Sequence, residues 1–166
     1  MDKRELKKAG GPIIEIFSNL FIGDENDCAQ ATVDKFSIVH ACKSPCYDRF
    51  ITEQQIEKPG IDEIGYLYLP IDIKEDLYLN IIDRPNPRFY TPLFDVALDF
   101  IYKKIKEDKK VLVHCNKGLS RSPTLVIAYM CKFRGVDIRR WSDVLLKKID
   151  YNPSVGMFEF LDSYLR

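Results

Sequence analysis

The chain has 166 residues, of which 46% are hydrophobic and 30% are charged, so it can bury a core and is too apolar for a disordered protein. Lysine plus arginine and aspartate plus glutamate both number 25, and this balance excludes a general attraction to nucleic acid or to an anionic membrane. No apolar run suits a signal peptide or a membrane span, and the 5 cysteines do not form the dense, even-numbered pattern of a disulfide scaffold. We therefore expect a single domain over residues 1–166, monomeric and cytoplasmic, with reduced thiols and with neither nucleic acid nor membrane as a partner.

The first half of the chain predicts strands separated by helical and irregular segments. Branched and aromatic residues bounded by turn signals indicate strands over residues 13–24, 36–42, 64–73 and 77–83. Residues 25–36 suit a short helix, and the sequence from Lys43 to Pro59 is polar and irregular. The segment RPNP at 84–87 then breaks the chain.

The second half predicts helices around one more strand. Apolar residues recur at helical spacing from Leu93 to Ile105, and we expect this helix to begin at Thr91, with Pro92 in its first turn. The strand VLVHC follows at 111–115. Further helices are predicted over 121–135, 138–148 and 155–166. Strands that alternate with helices indicate an α/β fold with a mostly parallel central sheet flanked by helices.

The stretch VLVHCNKGLSRSP places Cys115 at the carboxyl end of a predicted strand, where sites of α/β sheets lie. The backbone amides of the following loop, together with the start of the next helix, suit an anion and stabilise a thiolate. Cys115 is then a nucleophile, Arg121 a bidentate phosphate ligand, and Ser122 a donor to the departing sulfur. The predicted phosphate-binding residues are Asn116, Lys117, Gly118, Leu119, Ser120 and Arg121.

The segment HCNKGLSRS resembles the His-Cys, five residues, Arg-Ser signature of the cysteine-dependent dual-specificity protein phosphatases. IFSNLFIGDENDC and NPSVGMFEFL are similar to the first and last elements of that family. The resemblance implies a protein tyrosine phosphatase-like fold and hydrolysis of phosphotyrosine and phosphoserine or phosphothreonine in proteins through a phosphocysteine. It also implies that His114 supports the loop, and that the reaction needs neither a cofactor nor a metal.

The family also uses an aspartate that protonates the leaving oxygen, from a loop before the long helix. Asp83 and Asp72 compete for this role, with Asp76 between them. Asp83 precedes the expected helix start at Thr91 by 8 positions and Asp72 by 19 (91 − 83 and 91 − 72). Because connections in α/β units usually run about 2 to 6 residues, the shorter one favours Asp83, and Asp72 is second.

Two other functions stay open at this point. The same chemistry could act on a phosphoinositide or an RNA 5′-phosphate, or the domain could bind phosphopeptides without turnover. Lys117 would add charge for a more anionic substrate, although we expect it to face solvent. Residues 43–76 are longer than the usual connection of the family and form either an insertion beside the pocket or a surface excursion.

The segment HACKSPC brings His40, Cys42 and Cys46 close together in the sequence. A structural zinc site needs four ligands, usually at closer pair spacing, and no fourth stands out. We therefore interpret the cysteines of this segment as ordinary thiols at the end of a strand.

Overall fold

The computed structural model describes residues 13–50, 70–73, 75–81, 87–140 and 147–166. Their strands are β1 (Ile14–Phe17), β2 (Leu20–Gly23), β3 (Ser37–His40), β4 (Ile71–Ile73), β5 (Asp76–Tyr78) and β6 (Val111–His114). Their main helices are α1 (Cys28–Val33), α2 (Pro87–Lys106), α3 (Arg121–Phe133) and α4 (Val155–Leu165). No helix in these ranges has the length and apolar character needed to cross a membrane.

The strands form one sheet in the order β1-β2-β6-β3-β5-β4. The β2–β6, β6–β3 and β3–β5 pairs are parallel, whereas β1 and β4 are antiparallel to their neighbours at the two edges. This confirms the α/β architecture with a mostly parallel sheet. Strand β6 lies inside the sheet, so the residues that follow it are held between neighbouring strands.

Helices cover both faces of the sheet. Val111 and Val113 of β6 belong to the main hydrophobic core, which also contains buried residues of α2, α3 and α4. Leu112 points to the opposite face, where it packs with Ile38 of β3 and Ala31 of α1. All residues of β3 and β6 are buried, as expected for parallel strands that are covered on both sides.

The long helix α2 begins at Pro87, and the expected start at Thr91 is wrong. Proline suits the first helical position because its fixed φ fits a helix and its missing N–H would have no partner there. The last proline of the segment RPNP therefore begins the helix. Pro92 consequently lies inside α2.

The strand predicted over 77–83 is also shorter than expected, because β5 ends at Tyr78. Its neighbour β3 ends at His40, whose carbonyl accepts a hydrogen bond from Leu79 N at 2.9 Å. Beyond that bond β3 has no further residue with which to pair. Of the strand predicted over 64–73, the described part is β4, and most of the helix predicted over 138–148 lies outside the described residues.

Candidate active site

Residues 115–120 form a loop between the carboxyl end of β6 and the first turn of α3. Cys115 directly follows β6 and is 2% exposed. The backbone N–H of Gly118 donates to the Cys115 sulfur at 3.3 Å. Gly118 has a φ of 73°, which residues with a Cβ rarely adopt. The loop thus curls so that a main-chain donor faces the thiol.

Ser122 lies in the first turn of α3, with its Oγ 3.3 Å from the Cys115 sulfur. Its side chain is fully buried. A thiolate carries no proton, so against the charged form of Cys115 the Ser122 hydroxyl must be the donor. The sulfur is therefore flanked by a backbone donor and a hydroxyl donor.

Arg121 is the first residue of α3 and is half-buried. Its Nη1 donates to the carbonyl oxygen of Ile81 at 2.9 Å, and its Nη2 donates to Oδ1 of Asn116. The guanidinium is therefore fixed by the start of its own loop and by the segment that follows β5. Its fork of donors is suited to two oxygens of a phosphate.

The amino-terminal part of the loop is bonded to two other segments. Asn116 Nδ2 donates to Glu25 Oε2 at 2.8 Å and to the carbonyl of Ser44 at 2.7 Å. The backbone N–H of Glu25 donates back to the carbonyl of Asn116 at 3.2 Å. These contacts hold Asn116 in place from outside the loop. Lys117, in contrast, is exposed, as expected.

The carboxyl-terminal part of the loop is bonded to the segment before α4. The carbonyl of Leu119 accepts from Asn152 N at 2.8 Å, and Ser120 Oγ accepts from Ser154 N at 3.3 Å. Ser154 in turn caps α4 by accepting from Met157 N. The sequence analysis recognised the NPSVG segment by resemblance, and these contacts explain what it does.

The two candidate acids have different outcomes. Asp83 lies outside the described residues. Asp72 lies on the edge strand β4, opposite Leu77 of β5. Leu77 is in register with Val39 of β3, and Val39 is in register with Val113 of β6. Three strand spacings place Asp72 about 14 Å across the sheet from the strand that leads to Cys115. A general acid has to come within about 3 Å of its proton acceptor, so this geometry disfavours Asp72.

Asp76 has a different set of contacts. Its Oδ2 accepts a hydrogen bond from His40 Nε2 at 3.0 Å, and its Oδ1 lies 3.3 Å from the backbone N–H of Ile38. Both partners belong to β3. Asp76 therefore serves to join β5 to β3.

Behind the loop, four side chains bring potential metal ligands within 4.8 Å of one another, namely Cys28, His40, Cys46 and His114. His114 is fully buried and precedes Cys115, whose carbonyl accepts from its Nδ1 at 3.2 Å. The sequence analysis expected His114 to support the loop, and that contact is of this kind. It missed Cys28 and His114 as neighbours of His40 and Cys46, because they are distant in sequence.

The pKa values of the side chains in and around this cluster are shifted in different directions. Hydrogen bonds from Cys28 and Cys42 hold the pKa of the Cys46 thiol below its ordinary value. The pKa of Cys28 is raised by its hydrogen bond to Cys46 and by burial. Burial opposes the charged form of His40, but hydrogen bonds to Asp76 and Cys46 raise its pKa overall.

Residues 20–160 match a family model described as the catalytic domain of dual specificity phosphatases. Serine/threonine/tyrosine-interacting protein A of Xenopus laevis is 30% identical over 151 residues, which are 90% of this chain and 63% of that protein. A protein of Amsacta moorei entomopoxvirus, named as a tyrosine-protein phosphatase, is 33% identical over 108 residues, which are 63% of this chain and 65% of that protein. The chain thus spans just under two thirds of the length of these relatives.

Among solved structures, the human tyrosine phosphatase-like serine/threonine/tyrosine-interacting protein has a similar fold. The TM-score is 0.63 at 24% identity, and the match covers 92% of this chain and 94% of that one. The family match extends from β2 to α4 and includes the whole loop between Cys115 and Arg121. The chain belongs to the family of dual specificity phosphatase catalytic domains.

Proposed function

We propose that this protein hydrolyses phosphate monoesters of proteins through a phosphocysteine intermediate on Cys115. The observation that carries the proposal is the Cys115 sulfur, which lies 3.3 Å from both the Gly118 amide nitrogen and the Ser122 hydroxyl oxygen. Arg121 stands at the other end of the same loop. A nucleophile, oriented donors and a phosphate ligand are thus supplied by one short segment.

In the first step, the Cys115 thiolate attacks phosphorus, so that an S–P bond forms while the P–O bond to the substrate breaks. Arg121 and the loop amides bind the phosphoryl oxygens, where charge is spread in the transition state. The leaving oxygen takes a proton from Asp83. Ile81, two residues before Asp83 in the sequence, accepts a hydrogen bond from Arg121, which supports Asp83 as the acid.

In the second step, water attacks phosphorus and gives a proton to the carboxylate of Asp83. The S–P bond breaks, and the electron pair returns to the Cys115 sulfur as a thiolate. Ser122 donates a hydrogen bond to that thiolate, which stabilises it as a leaving group. Inorganic phosphate is released, and both residues are back in their starting protonation states.

Both phosphotyrosine and phosphoserine or phosphothreonine are the proposed substrates. The family description names dual specificity, and one relative is named as a tyrosine-protein phosphatase. The loop itself carries only Lys117 and Arg121 as cations. A phosphoinositide has further phosphates beside the one that reacts, and each of these would need positive charge.

A phosphopeptide-binding module without turnover is the second candidate. Two relatives are named as interacting proteins, which favours this alternative. Against it, Cys115, Ser122 and Arg121 are present together and in contact with one another or with the loop. Binding alone would not require a thiol at that position.

Trapping the intermediate distinguishes the two candidates. Acid quenching during turnover of an aryl phosphate, followed by peptide mass spectrometry, should find one phosphate on Cys115. Cys115→Ser should abolish turnover yet retain phosphopeptide binding, whereas Cys131→Ser, at a thiol in α3 outside the loop, should keep full activity. Phosphopeptide binding by the parent protein with no turnover of any phosphate ester would establish the binding module instead.

A further inference from the structure

Four potential metal ligands converge behind the loop of residues 115–120, which we call the phosphate-binding loop, from three parts of the chain. Cys28 begins α1, His40 ends β3, Cys46 lies in the turn after β3, and His114 ends β6. All except Cys28 are buried, and Cys28 is half-buried. Two thiols and two imidazoles in one buried group are a set that proteins use for metals.

The outward-facing nitrogens of the two imidazoles already have acceptors. His40 Nε2 lies 3.0 Å from the carboxylate of Asp76, and His114 Nδ1 lies 3.2 Å from the carbonyl of Cys115. A carbonyl and a carboxylate only accept, so in the neutral rings these nitrogens carry the protons. The inward nitrogens, His40 Nδ1 and His114 Nε2, then present lone pairs to each other.

Those two inward nitrogens are only 2.8 Å apart. Two lone pairs at that distance repel unless a proton or a metal cation lies between them. The Cys28 sulfur is 2.8 Å from His114 Nε2 and 3.3 Å from His40 Nδ1. Cys46 adds a second sulfur, 4.0 Å from that of Cys28 and 3.8 Å from His114 Nε2. Four electron-pair donors thus face a common centre.

The spacing fits a tetrahedral ion. Zinc bond lengths of about 2.0 to 2.1 Å to nitrogen and about 2.3 Å to sulfur imply edges of about 3.3 Å between nitrogens, 3.6 Å between nitrogen and sulfur, and 3.8 Å between sulfurs. Five of the six separations, at 2.8, 2.8 to 3.8 and 4.0 Å, differ from these by less than about 1 Å. The sixth, between His40 Nδ1 and Cys46 Sγ, is within 4.8 Å. Small side-chain shifts would bring all four ligands to bonding distance.

We propose that Cys28, His40, Cys46 and His114 bind one structural Zn²⁺. Two cysteines and two histidines form a closed tetrahedral set with no position left for water, as in structural rather than catalytic zinc sites. Thiolates combined with imidazoles favour zinc over the hard cations Mg²⁺ and Ca²⁺. The Asp76–His40 contact supplies the carboxylate–histidine pair that commonly orients a zinc ligand.

The ion would affect the active site by holding neighbouring residues in place. His114 is covalently next to Cys115, and the ion would join it to the start of α1 and to the turn after β3. The same two regions already contact Asn116, through Glu25 and Ser44. Zinc would therefore fix the base of the phosphate-binding loop from outside, with no role at the reacting atoms. Cys28 and His40 also line a surface groove of about 1040 Å³, from which the ion could enter.

Metal content of the intact protein tests the proposal. After reconstitution with zinc under reducing conditions, native mass spectrometry should find one zinc per chain. Cys28→Ser and Cys46→Ser should lose it, whereas Cys42→Ser and Cys131→Ser should retain it. Cys42 is the matched control, because it is a buried thiol that contacts Cys46 and lies outside the ligand set. Loss of zinc in Cys42→Ser with retention in Cys28→Ser would overturn the assignment.

Two further measurements keep all four ligands, so they are unaffected if a variant that lacks a ligand fails to fold. Co²⁺ added to the metal-free parent protein should give the visible absorption of a tetrahedral cobalt thiolate, and zinc should displace it. Asp76→Asn, which keeps all four ligands, should bind zinc about 10-fold more weakly. A parent protein that takes up neither metal would overturn the proposal. So would a parent mass that shows a Cys28–Cys46 disulfide and no bound ion.

Hydrogen exchange and thermal unfolding test whether zinc holds the phosphate-binding loop in place. Removal of zinc should increase hydrogen exchange at the backbone amides of residues 114–118 and leave α4 unchanged. At free zinc 100 times the dissociation constant, the melting temperature should rise by about 5 to 10 °C. Equal exchange at 114–118 in both forms would overturn the role of the ion in fixing the loop, and an unchanged melting temperature would overturn binding to the folded state.

Discussion

Arg121 Nη1 donates a hydrogen bond of 2.9 Å to the carbonyl oxygen of Ile81. This contact joins the first turn of α3 to the segment after β5. Asp83 follows Ile81 by two residues in the sequence. A phosphate bound by Arg121 would therefore lie close to the chain that leads into the predicted acid.

Asp83→Asn should lower turnover of a substrate with a poor leaving group by about 10² or more, because an alkoxide needs a proton to depart. Turnover of an aryl phosphate whose phenolate leaves unaided should change little. The measurement is kcat against leaving-group basicity for the parent and the variant. The slope should be steeper in Asp83→Asn.

Asp72→Asn is the matched control, since Asp72 lies on the far edge of the sheet. It should keep the slope of the parent protein. If Asp72→Asn shows the larger loss with poor leaving groups, then Asp72 is the acid, and the separation across the sheet does not describe the catalytic state.

Gly118→Ala should disturb both stability and catalysis. The φ of 73° at Gly118 costs a residue with a Cβ roughly 1 to 2 kcal/mol. Relief of that strain would turn the amide away from the Cys115 sulfur, so turnover should fall by about 10-fold or more. Denaturant unfolding and steady-state kinetics measure the two effects.

Gly135→Ala separates strain from function. Gly135 has a φ of 64°, and a Cβ there would meet nothing within 4 Å. It should lose a similar amount of stability, while its turnover stays at the parent value. A comparable loss of turnover in Gly135→Ala would mean that general destabilisation, not the Gly118 amide, limits activity.

Much of the fold could be predicted from local patterns. The apolar, β-branched centre of β3, the apolar run that begins β6 and the 3.6-residue period of α2 identify these elements without any knowledge of contacts. Element ends were harder to predict, because they depend on partners. Tyr78 ends β5 where β3 runs out at His40, and nothing in the sequence around Tyr78 indicates this.

The proximity of the residues around the loop after β6 could be predicted, because they are adjacent in sequence. Cys115, Gly118 and Arg121 lie within one short segment, so their order alone indicates that they are neighbours. The cysteine–histidine cluster could not be predicted, since Cys28 and His114 are 86 positions apart and meet only through sheet topology. The contact between Arg121 and Ile81 could not be predicted from the sequence, because these residues are also far apart in it.

Ser122→Ala should slow the second chemical step more than the first. A hydrogen bond to a charged group contributes about 1.5 to 3 kcal/mol, which corresponds to roughly 10-fold or more in the breakdown of phosphocysteine. Stopped-flow turnover of an aryl phosphate should show a burst of one product equivalent followed by a slower steady state.

Ser163→Ala, at an exposed serine of α4, should show the kinetics of the parent. A Ser122→Ala enzyme with a slowed burst and unchanged breakdown would contradict this role.

Lys117→Ala tests the substrate class. Lys117 is exposed, while Arg121 is half-buried and fixed by two hydrogen bonds. An exposed charge contributes at most about 1 kcal/mol, so activity on phosphotyrosine and phosphothreonine peptides should change by less than about 5-fold. Lys103→Ala, at an exposed lysine in the last turn of α2, controls for the lost net charge. A phosphoinositide or an RNA 5′-phosphate brings more negative charge to the same loop and would depend more strongly on Lys117. The protein-substrate proposal would be wrong if a phosphoinositide or an RNA 5′-phosphate were turned over far faster than every peptide. That preference should then be lost in Lys117→Ala and kept in Lys103→Ala.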